Sequence, residues 1–164
     1  MIAEAAGIPD PELGYIAELL HDLGRVVLDQ ALTEAEIGEV RAVVAKKGIR
    51  YFEAEDEVLG LNHAEVGAYR LAQWGVAPEL VEAVAEHHHP RNTILSAMVH
   101  AADVAATRAL GFDSSDPGWN HAVDFAALQA LSASIADAVS GPEGIDEIVR
   151  SVAASLNERA GLAQ

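Results

Sequence analysis

Apolar residues in this chain recur at helical spacing, and alternation of strand period does not persist beyond a few residues. In ELGYIAELLHDLGRVVLDQAL, Ile16, Leu19, Leu20 and Leu23 share one side of a helix entered through Pro9, Asp10 and Pro11. Gly24 interrupts this pattern, where close packing or a bend is the usual reason. A second helix, TEAEIGEVRAVVAKKG, opens on a Thr33–Glu36 capping box and repeats Ile37, Val40, Val43 and Val44 on one side. It closes with Lys46, Lys47 and Gly48.

The acidic segment YFEAEDEVLG reads as a short further helix. Asn62 then caps HAEVGAYRLAQWG, which ends at Gly75. Pro78 sits in the first turn of PELVEAVAEHHH, and Pro90 ends that helix. TILSAMVHAADVAATRALG is a long apolar helix closed by Gly111, followed by a loop, FDSSDPGWN. Two more helices are expected, around Phe125–Ala138 and from Asp146 to about Arg159, separated by SGPEG. The pattern predicts an all-α fold, a compact multi-helix bundle with short connections.

Composition strengthens the helical reading. The hydrophobic share is 51% but aromatics make up only 5%, so the core is built from Ala, Val, Leu and Ile. The formal net charge of −16 argues against nonspecific binding to nucleic acid or anionic lipid, since such a surface repels phosphate. The ten Lys and Arg residues are scattered, so a nucleotide ligand would need a metal to offset repulsion. With no cysteine, disulfides, thiolate metal sites and cysteine nucleophiles are excluded. The first residues lack the features of a signal peptide, and no apolar run approaches the roughly 18 residues of a membrane helix. A cytoplasmic location is the resulting expectation.

Candidate chemistry gathers at His21-Asp22, His63, the run His87-His88-His89, His100 and Asp103. Imidazole and carboxylate are ligands for Zn, Mn, Fe and similar divalent ions. An adjacent His-Asp pair on a helix points in directions roughly 100° apart, so one centre must lie between them or the aspartate must bridge two. His100 and Asp103 are three apart and share a face. A single helical histidine is more often a capping, surface or core residue, and that reading is preferred for His121 and His100. His89, beside Pro90 at a helix end, reads as favourable charge near the helix dipole. The His21-Asp22 pair differs because it lies between the apolar runs ELL and LGRVVL, where buried charge needs a partner.

The order HD, H, HH, D on successive helices carries a resemblance. LLHDLGRVVL is similar to the HD-motif helix of the HD superfamily of metal-dependent phosphohydrolases. NHAEVGAYRLAQWGVAPELVEAVAEHHHP with MVHAADVAA resembles the second half of HDOD domains, so the likeness spans about residues 10 to 110. It implies an HD-type bundle in which His21, Asp22, His63, His87, His88 and Asp103 hold divalent metal. Asp22 would be the bridging carboxylate, and Gly67 follows His63 as in the relatives. Arg25 stands where the HD-GYP phosphodiesterases have lysine, which implies a phosphate contact; Asp22 and Arg25 are thus the catalytic candidates.

Departures from the pattern matter equally. None of residues 1–20 is the upstream histidine of HD enzymes, no GYP segment follows His88, and the amino-terminal helical half of an HDOD domain has no counterpart. The sequence therefore looks like the HD-like half of an HDOD module, with residues 1–112 as the helical core and 113–164 as a helical extension of the same domain. The resemblance implies a bacterial signal-transduction module that acts through protein partners. Its divalent ion would be Mn, Fe, Zn or similar, if the site holds one at all. The alternatives are a metal-dependent phosphohydrolase of a nucleotide or cyclic dinucleotide, and a structural helical domain with a remnant site. Oligomeric state is left open.

Overall fold

Local capping signals are realised where the chain provides them. A computed structural model describes residues 10–109 and 123–140, with single positions at 118, 144, 150 and 154. Helix α1 (Pro11–Leu20) starts with Pro at its first position, and the Asp10 side chain accepts from the Glu12 N–H at 3.0 Å. Helix α2 (Leu23–Ala31) follows after a two-residue turn. Helix α3 (Glu34–Lys47) opens on the Thr33–Glu36 capping box and stops at Gly48, whose φ of 66° is left-handed. Helix α4 (Tyr51–Leu59) ends similarly at Gly60, and α5 (His63–Gln73) begins with reciprocal bonds between Asn62 and Glu65. Helices α6 (Pro78–Ala85), α7 (Ile94–Ala109), α8 (Phe125–Leu131) and α9 (Ala133–Val139) complete the described elements. No strand occurs among the described residues, so the fold is all-α.

Helix α7 is the axis of the main core. Ala97, Met98, Val99, Ala101 and Val104 are buried there against Ala17 of α1, Leu80 and Ala83 of α6, and Leu128 and Ile135 of α8 and α9. The small side chains let helices approach closely, which suits a core with few aromatics. A second cluster joins α3 to α4 through Val40, Val44 and Ala54. A third joins α5 to α6 through Ala68, Leu71 and Val84, with Leu20 and Leu23 packed on it. No described helix is long and apolar enough to cross a membrane.

Three expectations need correction. The segment of residues 12–32 is two helices, and the break falls at His21-Asp22, not at Gly24. Gly24 lies within the first turn of α2, where it serves close packing: a Cβ there would sit 1.8 Å from the His63 carbonyl oxygen. The His87-His88-His89 run is outside the helix, because α6 ends at Ala85 and the histidines occupy the following turn. The helix expected over Phe125–Ala138 is divided at Ser132, which is extended (φ −156°, ψ 105°) and caps α9 through its hydroxyl. The expected helix from Asp146 to Arg159, His121, Gly111 and nearly all of the FDSSDPGWN loop lie outside the described residues.

Candidate metal centre

Breaking the first helix at His21-Asp22 turns both side chains inward at a junction between two helices. His21 is the C-cap of α1, and Asp22 precedes α2. His63 is the first residue of α5, and the turn after α6 supplies His87 and His88. Asp103 comes from the middle of α7. His63, His87, His88 and Asp103 are buried, and His21 is nearly so, yet Asp22 keeps 38% of its side chain exposed. Residues distant in sequence thus converge on one cluster, although only His63 and Asp103 lie within helices.

The imidazoles of His21, His63 and His87 share one orientation. His21 Nδ1 donates to the Glu18 carbonyl at 2.6 Å, and His87 Nδ1 to the Val84 carbonyl at 2.7 Å. His63 Nδ1 donates to Glu55 Oε2 at 2.6 Å, and the same oxygen accepts the His63 backbone N–H at 2.8 Å. Each Nδ1 is tethered, so each Nε2 is left to face the cluster. His63 Nε2 is 3.3 Å and His87 Nε2 3.9 Å from Asp22 Oδ1. His21 Nε2 is 3.8 Å from Asp22 Oδ2 and 3.6 Å from Asp103 Oδ1. His88 Nε2 lies 2.8 Å from His63 Nε2, one donating to the other, and its ring stacks on Phe52 with centroids 4.1 Å apart.

Two triads have ligand atoms mutually within 4.8 Å: His63, His87 and His88, and His21, Asp22 and His87. His87 belongs to both. Its Nε2 is buried with no hydrogen-bond partner, an expensive state unless something outside the polypeptide completes it. The donor set is borderline nitrogen with hard carboxylate oxygen, which suits Zn, Mn or Fe. Tethering of Nδ1 by carbonyl or carboxylate is the outer-shell support that metal-bound histidines require. The residues present therefore fit a divalent ion.

The electrostatics agree. Burial lowers the His87 pKa to about 3, helped by positive charge on His21, so its imidazole is neutral and ready to ligate. Burial would also depress His21, but the bond to Asp103 and the charge of Asp22 raise it to about 9. His63 behaves alike: burial is outweighed by Asp22 and Glu55, and its pKa rises. Burial pushes Asp22 up, yet His63, Arg25 and His21 together hold it well below the usual carboxylate range. Protonated histidines thus supply the positive charge that a divalent ion would take over.

Two carboxylates were not singled out by sequence reasoning. Glu18 is three residues before His21 and is pushed up to about 8 by burial, with Asp103 and Asp22 adding to the rise and His21 opposing it. Its Oε1 is buried without a hydrogen-bond partner. Glu55 is buried and orients His63. A signal existed for Glu55, which falls three residues after buried Phe52 on the apolar side of an acidic helix. For Glu18 the signal was only its helical spacing from His21.

Other candidates fall outside the ligand set. His100 Nδ1 donates to the His87 carbonyl at 2.8 Å and its Nε2 accepts the Asp124 N–H at 3.0 Å, so both nitrogens are engaged. It fixes the histidine turn, as the non-ligand reading anticipates. His89 is exposed, its ring edge against Phe52. Arg25 Nε is 2.8 Å from Asp22 Oδ1 and so anchors that carboxylate.

A family model described as HDOD domain matches residues 1–90, which takes in every candidate ligand except Asp103. No curated protein and no solved structure matches the chain.

Proposed function

The chain belongs to the HDOD domain family, and on that footing we propose that it is a signal-transduction module that holds a divalent metal and acts through protein partners. The observation that carries the metal is the convergence on Asp22 of Nε2 atoms from His21, His63 and His87, each with its Nδ1 tethered. Asp22, His63, His87 and His88 would hold the ion, with His21 and Asp103 on the second oxygen's side. When bound, the ion supplies Lewis acidity and lowers the pKa of coordinated water. Arg25 keeps Asp22 oriented, and Glu55 keeps His63 oriented. Support for a partner comes from Tyr15 and Leu19, one turn apart on α1 and 69% and 68% exposed. Solvent-exposed apolar side chains at adjacent helical positions favour contact with another protein.

Metal-dependent hydrolysis of a phosphodiester is the second reading, and one observation favours it. The two oxygens of Asp22 face different histidines, an arrangement suited to bridging two ions. It ranks second because Arg25, the candidate phosphate contact, is already paired with Asp22. The test is hydrolysis of bis(p-nitrophenyl) phosphate and of cyclic di-GMP with Mn present. The expected result is little or no turnover by the wild type. Robust metal-dependent turnover, eliminated by both His21→Ala and Asp22→Ala, would make the hydrolase the better reading.

A further inference from the structure

Beside the metal cluster, a separate cavity of about 220 Å³ opens between α2 and the α3–α4 pair. Each wall is one stripe of a helix. Helix α2 contributes Arg25, Leu28, Asp29 and, just past its end, Leu32; α3 contributes Ile37, Val40 and Arg41; α4 contributes Tyr51, Glu55 and Leu59. Counted from the first of each set, these positions fall at i+3, i+4, i+7 or i+8, so each set presents a single face to the space. Leu28, Leu32, Ile37, Val40 and Leu59 line it with branched aliphatic surface.

The charges lining the cavity divide into two kinds. Arg25 is held by Asp22, and Glu55 is held by His63, so both are shared with the metal cluster. Arg41 and Asp29 are exposed and make no ion pair or hydrogen bond among the described residues. One cation and one anion are therefore available beside an aliphatic floor. A guanidinium fork matches a carboxylate with two parallel hydrogen bonds, and a carboxylate such as Asp29 suits an ammonium. The size restricts the occupant further, since a cavity of about 150 Å³ already holds a benzene ring. A purely anionic head would meet Asp29, and a purely cationic one would meet Arg41.

We propose that this cavity binds a zwitterionic α-amino acid with an apolar side chain. Its carboxylate lies on Arg41, its ammonium on Asp29, and its side chain among Leu28, Leu32, Ile37, Val40 and Leu59. The occupant would touch Arg25 and Glu55, the two residues that orient Asp22 and His63. Binding is then linked to the metal centre, and the linkage is reciprocal.

The proposal is tested on metal-stripped protein by calorimetric titration with L-leucine and L-phenylalanine. The companion probes are 4-methylpentanoate, which is leucine without its amino group, and 3-methylbutylamine, which is leucine without its carboxylate. Saturable binding of at least one amino acid is expected, with both truncated probes at least tenfold weaker than leucine if leucine binds. Arg41→Gln should weaken the amino acid about tenfold and leave the amine unchanged, and Asp29→Asn should weaken it similarly and leave the carboxylate unchanged. Both substitutions are on exposed side chains, so folding is not at issue. No binding of either amino acid up to about 10 mM, equal affinity for a truncated probe, or indifference to both substitutions would overturn the proposal. Because these titrations use metal-stripped protein, their failure is separate from any failure to bind Mn. A repeat with Mn tests the linkage: an Mn affinity unmoved by saturating amino acid would remove that part.

Discussion

At the scale of single residues, the cluster is organised by what holds the far side of each imidazole. Glu55 is the clearest case, because one oxygen receives both the His63 ring and the His63 backbone N–H. Glu55→Gln keeps the volume but weakens the acceptor, so metal affinity should fall about 10- to 100-fold with little loss of fold, as measured by titration. An affinity within twofold of wild type would show that Glu55 is only a packing residue. Glu18 has a different role, since its Oε1 is buried and without a partner. Glu18→Gln removes a group that resists ionisation there, and the metal-stripped protein should melt higher at pH 8 than the wild type. A lower melting temperature at that pH would contradict the burial argument. Neither glutamate was legible as part of a motif, because each acts through proximity in space to residues that were.

At the scale of elements, the site depends on how closely α2 approaches α5. A Cβ on Gly24 would meet the His63 carbonyl oxygen at 1.8 Å and the Gly67 nitrogen at 2.8 Å, both backbone atoms that cannot swing aside. Gly24→Ala must push α2 away from α5, carrying Asp22 and Arg25 from His63. The expected cost is about 3 kcal/mol by denaturant melts, together with weakened metal binding. At Gly67 the nearest atom is 3.0 Å away, so Gly67→Ala should cost less. Equal and small effects at both glycines would contradict the close-packing account. Helix starts were readable because capping is local: Thr33–Glu36 and Asn62–Glu65 declare themselves within four residues. Helix breaks were less readable. His21-Asp22 and the run after Ala85 keep a helical hydrophobic period, and only packing against neighbouring helices decides where the chain turns.

For the whole molecule, the metal-stripped cluster couples stability to pH. His21 rises from 6.5 to about 9 in the fold, so its contribution is fully present below pH 6.5 and is lost as pH climbs through 9. Glu18 rises from 4.5 to about 8, so the folded state is increasingly penalised between those values. His87 has the opposite sign: lowered from 6.5 to about 3, it penalises the fold only as pH falls below 6.5. The metal-stripped protein should therefore lose melting temperature steadily between pH 6.5 and 9. A bound ion replaces those protons, so the stabilisation it gives should be larger at pH 8.5 than at 6.5. A flat or rising melting temperature over that range would mean the protons are not held as described.

Helical hydrophobic periodicity made the all-α class readable from sequence, and the order HD, H, HH, D pointed to residues that the fold brings close together. The cavity between α2 and the α3–α4 pair was not readable, since its walls are three stripes whose meeting depends on the packing of three helices. The central claim is that the cluster around Asp22 holds a divalent ion, and calorimetric titration of Mn and Zn into metal-stripped protein tests it most directly. The wild type should bind at least one of them saturably and with proton release, and Asp22→Ala should abolish binding while keeping its helical circular dichroism. Absence of saturable binding to the wild type, or binding that survives Asp22→Ala undiminished, would contradict the account.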